Sequence, residues 1–288
     1  MPSSLKIGAV SGLVAGFVAG IIAIVFLSIG AIIGLPNPWT STPPPITGTV
    51  SVYMILGVIW GAILGVIFSR VHDSIPGKVV PKGLVFGMVM FLIFSIRYAI
   101  ITQAYGLYYG AANQVLVGFF TWLAYGLVLG VLYEFLHSKF HVPVEEKKIF
   151  GYEMKSGLIP GAIAGFSGGI AASIGTIIGP LIRLYPPPAG PITFTISFLL
   201  SMAGSHIFYN MIWGTFFGAI FSRTYNLVPS KGIMKGLIYG LIVFLITTVH
   251  TSTYFAAYAN FSLAINWSFV GIFNAIVYGL VLGALYKK

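Results

Sequence analysis

Long apolar runs separated by short polar breaks set the pattern of this chain. They fall near residues 7–34, 49–70, 83–105, 114–136, 155–182, 194–222, 236–258 and 266–286. A helix crosses a bilayer with about 20 predominantly apolar residues, and each run reaches that length. The runs are continuous and do not alternate with period two, which argues against the strands of a membrane β-barrel. The pattern predicts an all-α integral membrane protein with about eight transmembrane helices.

Composition agrees. The chain is 58% hydrophobic and only 7% charged, where a soluble domain carries roughly 25% charged residues. Such a sequence cannot cover a water-facing surface. The first run is too long for a signal-peptide core, which spans about 7–15 residues, and reads as a retained span. There is no cysteine, hence no disulfide, no thiol nucleophile and no thiolate metal site.

The few charges sort by connection. Lys6 precedes the first run. Arg70, Lys78 and Lys82 lie between the second and third, and Lys139, Lys147, Lys148 and Lys155 between the fourth and fifth. Arg223, Lys231 and Lys235 lie between the sixth and seventh, and Lys287 and Lys288 end the chain. Apart from Arg97 and Arg183, the other connections are nearly free of Lys and Arg. The positive-inside rule then puts both termini in the cytoplasm, with the chain in the plasma membrane. The net charge of +10 meets anionic lipids of the inner leaflet. Nucleic acid is not an expected partner, because no aromatic-basic platform is present. Two N-x-[ST] sequons, at Asn260 and Asn266, fall in a connection on the opposite side.

Shifted by 153 residues, the sequence matches itself. IWGAILGVIFSR at 59–70 meets IWGTFFGAIFSR at 212–223, and YGLVLGVLY at 125–133 meets YGLVLGALY at 278–286. The first span aligns instead at a shift of 149, GAVSGLVAGFVAG at 8–20 with GLIPGAIAGFSGG at 157–169. The expected organisation is two tandem four-helix repeats, 1–137 and 154–288, joined by a polar cytoplasmic linker at 138–153. An even number of spans per repeat gives both the same orientation, as in parallel-repeat transporters.

Glycine recurs every fourth residue at Gly8, Gly12, Gly16 and Gly20, and again at Gly157, Gly161, Gly165 and Gly169. That spacing lines one helix face. Lipid tails are as apolar as leucine, so helices in a bilayer associate by close backbone approach. These faces are expected to pack helices, and one of them could equally serve a homo-oligomer.

Polar residues inside the spans are the candidates for a site, because such residues face the interior of a bundle by default. Arg97 interrupts the third span, and the 153 shift pairs it with His250. Both stand roughly 21 Å from the inner end of their helix, in the outer part of a hydrocarbon core about 30 Å thick. Thr251 lies beside His250. His206 and Asn210 share a face of the sixth span, and Asn274 and Tyr278 one of the eighth. The bland account of Arg97 is a side chain reaching outward to headgroups; for the rest it is interhelical hydrogen bonding. The functional account is an outer-half cavity that binds or passes a small polar or anionic solute. No carboxylate lies deep in a span, which argues against cation or proton coupling.

Catalytic motifs are absent: no phosphate-cradling loop, no metal-binding HExxH, no nucleophile elbow. No metal is expected, and no cofactor, with a haem between His206 and His250 as a remote option. Two function classes remain open. One is the solute-handling protein. The other is a non-catalytic structural or assembly subunit working with partner subunits of a larger membrane complex.

Overall fold

A computed structural model describes residues 3–35, 46–75, 77, 79–104, 108–140, 153–182, 196–258 and 261–286. The proline-rich connections, most of the expected linker and Asn260 lie outside the described residues. Those described form helices and no strand. Seven helices among them are long and apolar enough to span a membrane, and the chain is a multi-pass all-α membrane protein. The expected sixth span is not among the seven. It forms a 29-residue helix, Ile196–Thr224, so length is not the obstacle. His206, Asn210 and three serines in its first half lower its hydropathy.

The chain divides into two compact units, Met1–Lys148 and Ile149–Lys288. The first holds α1 (Ser4–Ile32), α2 (Ile46–Val71), α3 (Val79–Met90), α4 (Arg97–Ala104) and α5 (Tyr108–Lys139). The second holds α6 (Leu158–Leu181), α7 (Ile196–Thr224), α8 (Gly232–Phe244), α9 (His250–Tyr258) and α10 (Phe261–Leu285). In the first unit α1 packs on α2 and α5, and α5 on α3. In the second α6 packs on α7 and α10, and α10 on α8.

Helix ends follow local chemistry. Ser3 caps α1, its hydroxyl accepting from the Lys6 amide at 3.4 Å. At the other end Gly34 turns to φ +80°, with Leu35 N–H bonded to Gly30 O at 2.8 Å and Gly34 N–H to Ala31 O at 3.1 Å. That pair of bonds is the Schellman stop, which needs the left-handed conformation glycine adopts without strain.

The third expected span is not one regular helix. A π-helical turn, Phe91–Ile96, joins α3 to α4, and its counterpart, Leu245–Val249, joins α8 to α9. Each ends immediately before the residue picked out from the sequence, Arg97 in one unit and His250 in the other. A π turn inserts one extra residue into the helical ladder, so it re-aims the side chains that follow. It also presses Ser95 against Gly118 of α5, and Thr248 against Gly271 of α10; a Cβ on either glycine would overlap the facing side chain.

Candidate functional site

The helix contacts are built on glycine. A Cβ at Gly8, Gly12 or Gly16 would overlap the carbonyl oxygen of Gly65, Gly61 or Gly57 respectively, and one at Gly20 would stand 3.0 Å from Tyr53 O. As one number rises the other falls, as antiparallel neighbours require. In the second unit Gly157, Gly161 and Gly165 press on the carbonyls of Gly218, Gly214 and Asn210, and a Cβ at Gly169 would meet Ile207 Cα at 2.6 Å. The α3–α5 and α8–α10 contacts follow the same rule, with Gly83 on Gly126 O and Gly236 on Gly279 O. At all of these points except Gly20, nothing larger than hydrogen fits without displacing backbone.

A tyrosine ties the third helix to each pair. Tyr125 on α5 donates to Gly61 O of α2 at 3.0 Å; Tyr278 on α10 donates to Gly214 O of α7 at 3.1 Å. At the end where α2 runs into α3, Phe68 contacts Phe86, Tyr133 and His72 at centroid distances of 5.2, 5.3 and 5.3 Å. In the other unit Phe221 contacts Tyr239, Tyr286 and Tyr225 at 4.8, 5.3 and 5.3 Å. Tyr239 closes α8 onto α7 with a 2.7 Å bond to Phe217 O. Buried Lys235 caps the end of α7, Nζ donating to Tyr225 O at 3.0 Å and lying 3.9 Å from the centre of the Tyr225 ring.

The predicted polar residues divide between the units. Arg97 opens α4 in the first unit, half-buried with its Nε enclosed. The other six lie in the second, and four of them converge on the seam of α6, α7 and α10. Asn274 Nδ2 donates to Asn210 Oδ1 at 2.7 Å, and Asn210 Nδ2 donates to His206 O at 2.8 Å. Asn274 Oδ1 lies against Gly168. His206 Nε2 is 3.3 Å from Thr176 Oγ1 on α6. Thr176 already donates to Ala172 O at 2.9 Å, so Nε2–H is the donor between the two. Tyr278 completes the group.

His250 and Thr251 sit on α9. The His250 ring is buried and packs on Tyr254, centroids 5.1 Å apart. Thr251 Oγ1 donates to Thr247 O of its own helix at 2.8 Å. Haem ligation by His206 through Nε2 would break its contact with Thr176. No group of three or more His, Asp or Glu side chains among the described residues could hold a metal. Asn266 stands inside α10 with its Oδ1 enclosed, and its sequon partner Ser268 donates to Ser252 at 2.8 Å.

Three features escaped the reading of the sequence. Thr176 and Gly168 were not singled out, although both lie on the glycine-rich α6. The aromatic boxes could have been found, since Phe68 and Tyr133 recur as Phe221 and Tyr286 at the 153 shift. The π turns carry no sequence signal. Comparison with protein-family models, curated proteins and solved structures finds no significant match to this chain.

Proposed function

We propose that this multi-pass protein arose by duplication and that its two tandem four-helix units share one orientation. The support is a set of contacts repeated at a spacing of 153: Tyr125 with Gly61 and Tyr278 with Gly214, the two aromatic boxes, and the two π turns. In this reading α7 is the eighth span, its polar groups covered by α6 and α10. The glycine faces act as zippers. Both termini lie in the cytoplasm, and the basic ends of α2, α5 and α7 meet anionic lipid of the plasma membrane.

The function this geometry favours is that of a non-catalytic structural or assembly subunit. One observation carries it: three of the polar side chains picked out from the sequence are committed to other helices. Asn274 holds Asn210, Tyr278 holds Gly214 and His206 holds Thr176. A binding site keeps such groups open. In a bilayer these bonds lock one arrangement of helices, each contributing roughly 0.6 kcal/mol.

The solute-handling reading draws on a different observation. Irregular helix turns in membranes gather where a polar path runs, and both π turns end at Arg97 or His250. The buried hydroxyl of Ser95, on the first of those turns, has no hydrogen-bond partner.

Native mass spectrometry after gentle extraction from the source membrane separates the two. A subunit carries stoichiometric partner proteins. A lone chain or homo-oligomer retaining a small non-lipid mass would overturn the structural reading in favour of solute handling.

A further inference from the structure

The two aromatic boxes differ in one corner. The second unit has Tyr225 followed by Asn226, and the first has His72 followed by Asp73. The second corner therefore has no histidine, whose imidazole ordinarily titrates at about 6.5. The His72 side chain is 16% exposed, lies edge-on to Phe68 and packs 4.9 Å from Tyr133 between centroids. Its Nδ1 is 2.9 Å from Asp73 Oδ1. The same oxygen is 3.9 Å from Lys82 Nζ, which arrives from α3. From α5 come Tyr133, the carboxylate of Glu134, and His137, whose ring centroid is 5.7 Å from that of Tyr133. A single carboxylate oxygen therefore serves a histidine on one side and a lysine on the other.

We propose that His72, Asp73 and Lys82 form a proton-sensitive clasp between α2 and α3, present in the first unit and absent from the second. With His72 neutral, Nδ1–H donates to Asp73 and the carboxylate balances Lys82. A proton on His72 sets a second cation against the same oxygen. Lys82, the more distant of the two, is the one displaced, and the tie from α2 to α3 loosens. Glu134 and Asp73 attract the added charge. Asp73 is 57% exposed, so water screens its pull. The ring itself has lost most of its water between Phe68 and Tyr133, and Lys82 repels it. A protonated His72 displaces Lys82 from the shared carboxylate oxygen, so the α2–α3 tie is full above about pH 7 and weakens as pH falls through the ordinary histidine range. Unlike the function proposed above, this device needs neither a solute nor a partner.

The test is the unfolding temperature of the full chain in mild detergent, followed from about pH 8 down to about pH 5.5. Other histidines add a background that every variant shares, so differences between profiles are what count. The double change His72→Tyr with Asp73→Asn installs the residues of the second unit and should remove several degrees of the acid loss. Tyr225→His with Asn226→Asp should add a comparable loss to the wild-type chain. Lys82→Gln removes the competitor and should shrink the loss even if the first double variant fails to fold. The proposal is overturned by a folded His72→Tyr/Asp73→Asn protein whose profile runs parallel to the wild type, or by an undiminished acid loss in Lys82→Gln.

Discussion

The middle of the seam is where the two units part company. Around it they agree: glycine on carbonyl between the first two helices, tyrosine on a glycine carbonyl from the last, and an aromatic box at one end. At the centre the first unit has Gly57 and Thr121, and the second has Asn210 and Asn274. Asn210 and Asn274 bond to each other at 2.7 Å, while the Thr121 hydroxyl is enclosed without a partner. Backbone approach is thus shared and polar content is not. Close packing tolerates only hydrogen at its contact points, so it constrains residues tightly. A polar pair is a local addition that one unit can carry and the other can lack.

The largest effect should come from what the units share. Gly12→Leu and Gly161→Leu each drive a side chain into a facing carbonyl and should destabilise by about 3 kcal/mol or more. Thermal unfolding and size-exclusion profiles in detergent will show it. If one unit tolerates leucine, the seams are not equivalent.

Grafting the difference comes next. A Cβ at Gly57 stands 2.7 Å from Gly16 O, so Gly57→Asn alone should cost about 1–3 kcal/mol. Adding Thr121→Asn supplies the missing partner and should recover part of that loss, a coupling that a double-mutant cycle measures directly.

Removing the pair is a sharper and smaller test. Asn274→Leu leaves the Asn210 carbonyl oxygen buried and unpaired, which should cost roughly 1–2 kcal/mol. Thr121→Val at the matching position deletes a hydroxyl that bonds to nothing and should be neutral or slightly stabilising in the same unfolding assay. The smallest losses belong to the tyrosines. Tyr125→Phe and Tyr278→Phe should each cost roughly 0.6 kcal/mol, equally in the two units. Unequal losses would mean that the matching distances conceal different strengths.

The glycine faces and the membrane class were open to reading because they rest on spacing and composition. Gly8 to Gly20 declare a face by position alone, with no knowledge of what meets it. Asn210 and Asn274 were each visible as polar residues in apolar helices. Their pairing was not, because it depends on the rotation of α7 against α10. The π turns were hidden for another reason: Phe91–Ile96 and Leu245–Val249 contain no glycine or proline, and a regular α-helix fits their residues equally well. Ser95 opposite Gly118 is the nearest thing to a clue. The polar load of α7 was visible in the sequence, as His206, Asn210 and three serines in the first half of that helix.

The carbonyl of Gly61 belongs to α2, touches Gly12 of α1 and accepts the Tyr125 hydroxyl of α5, so three helices meet at one atom. The ribosome adds that tyrosine 64 residues after Gly61, when the first two helices are already complete. At about 5–20 residues per second that interval lasts roughly 3–13 s. The glycine pair must hold itself together in the meantime, and the arrival of Tyr125 closes it. Gly214 and Tyr278 repeat the same delay, so synthesis proceeds as two rounds of one clock, each ending in the latch of its own unit.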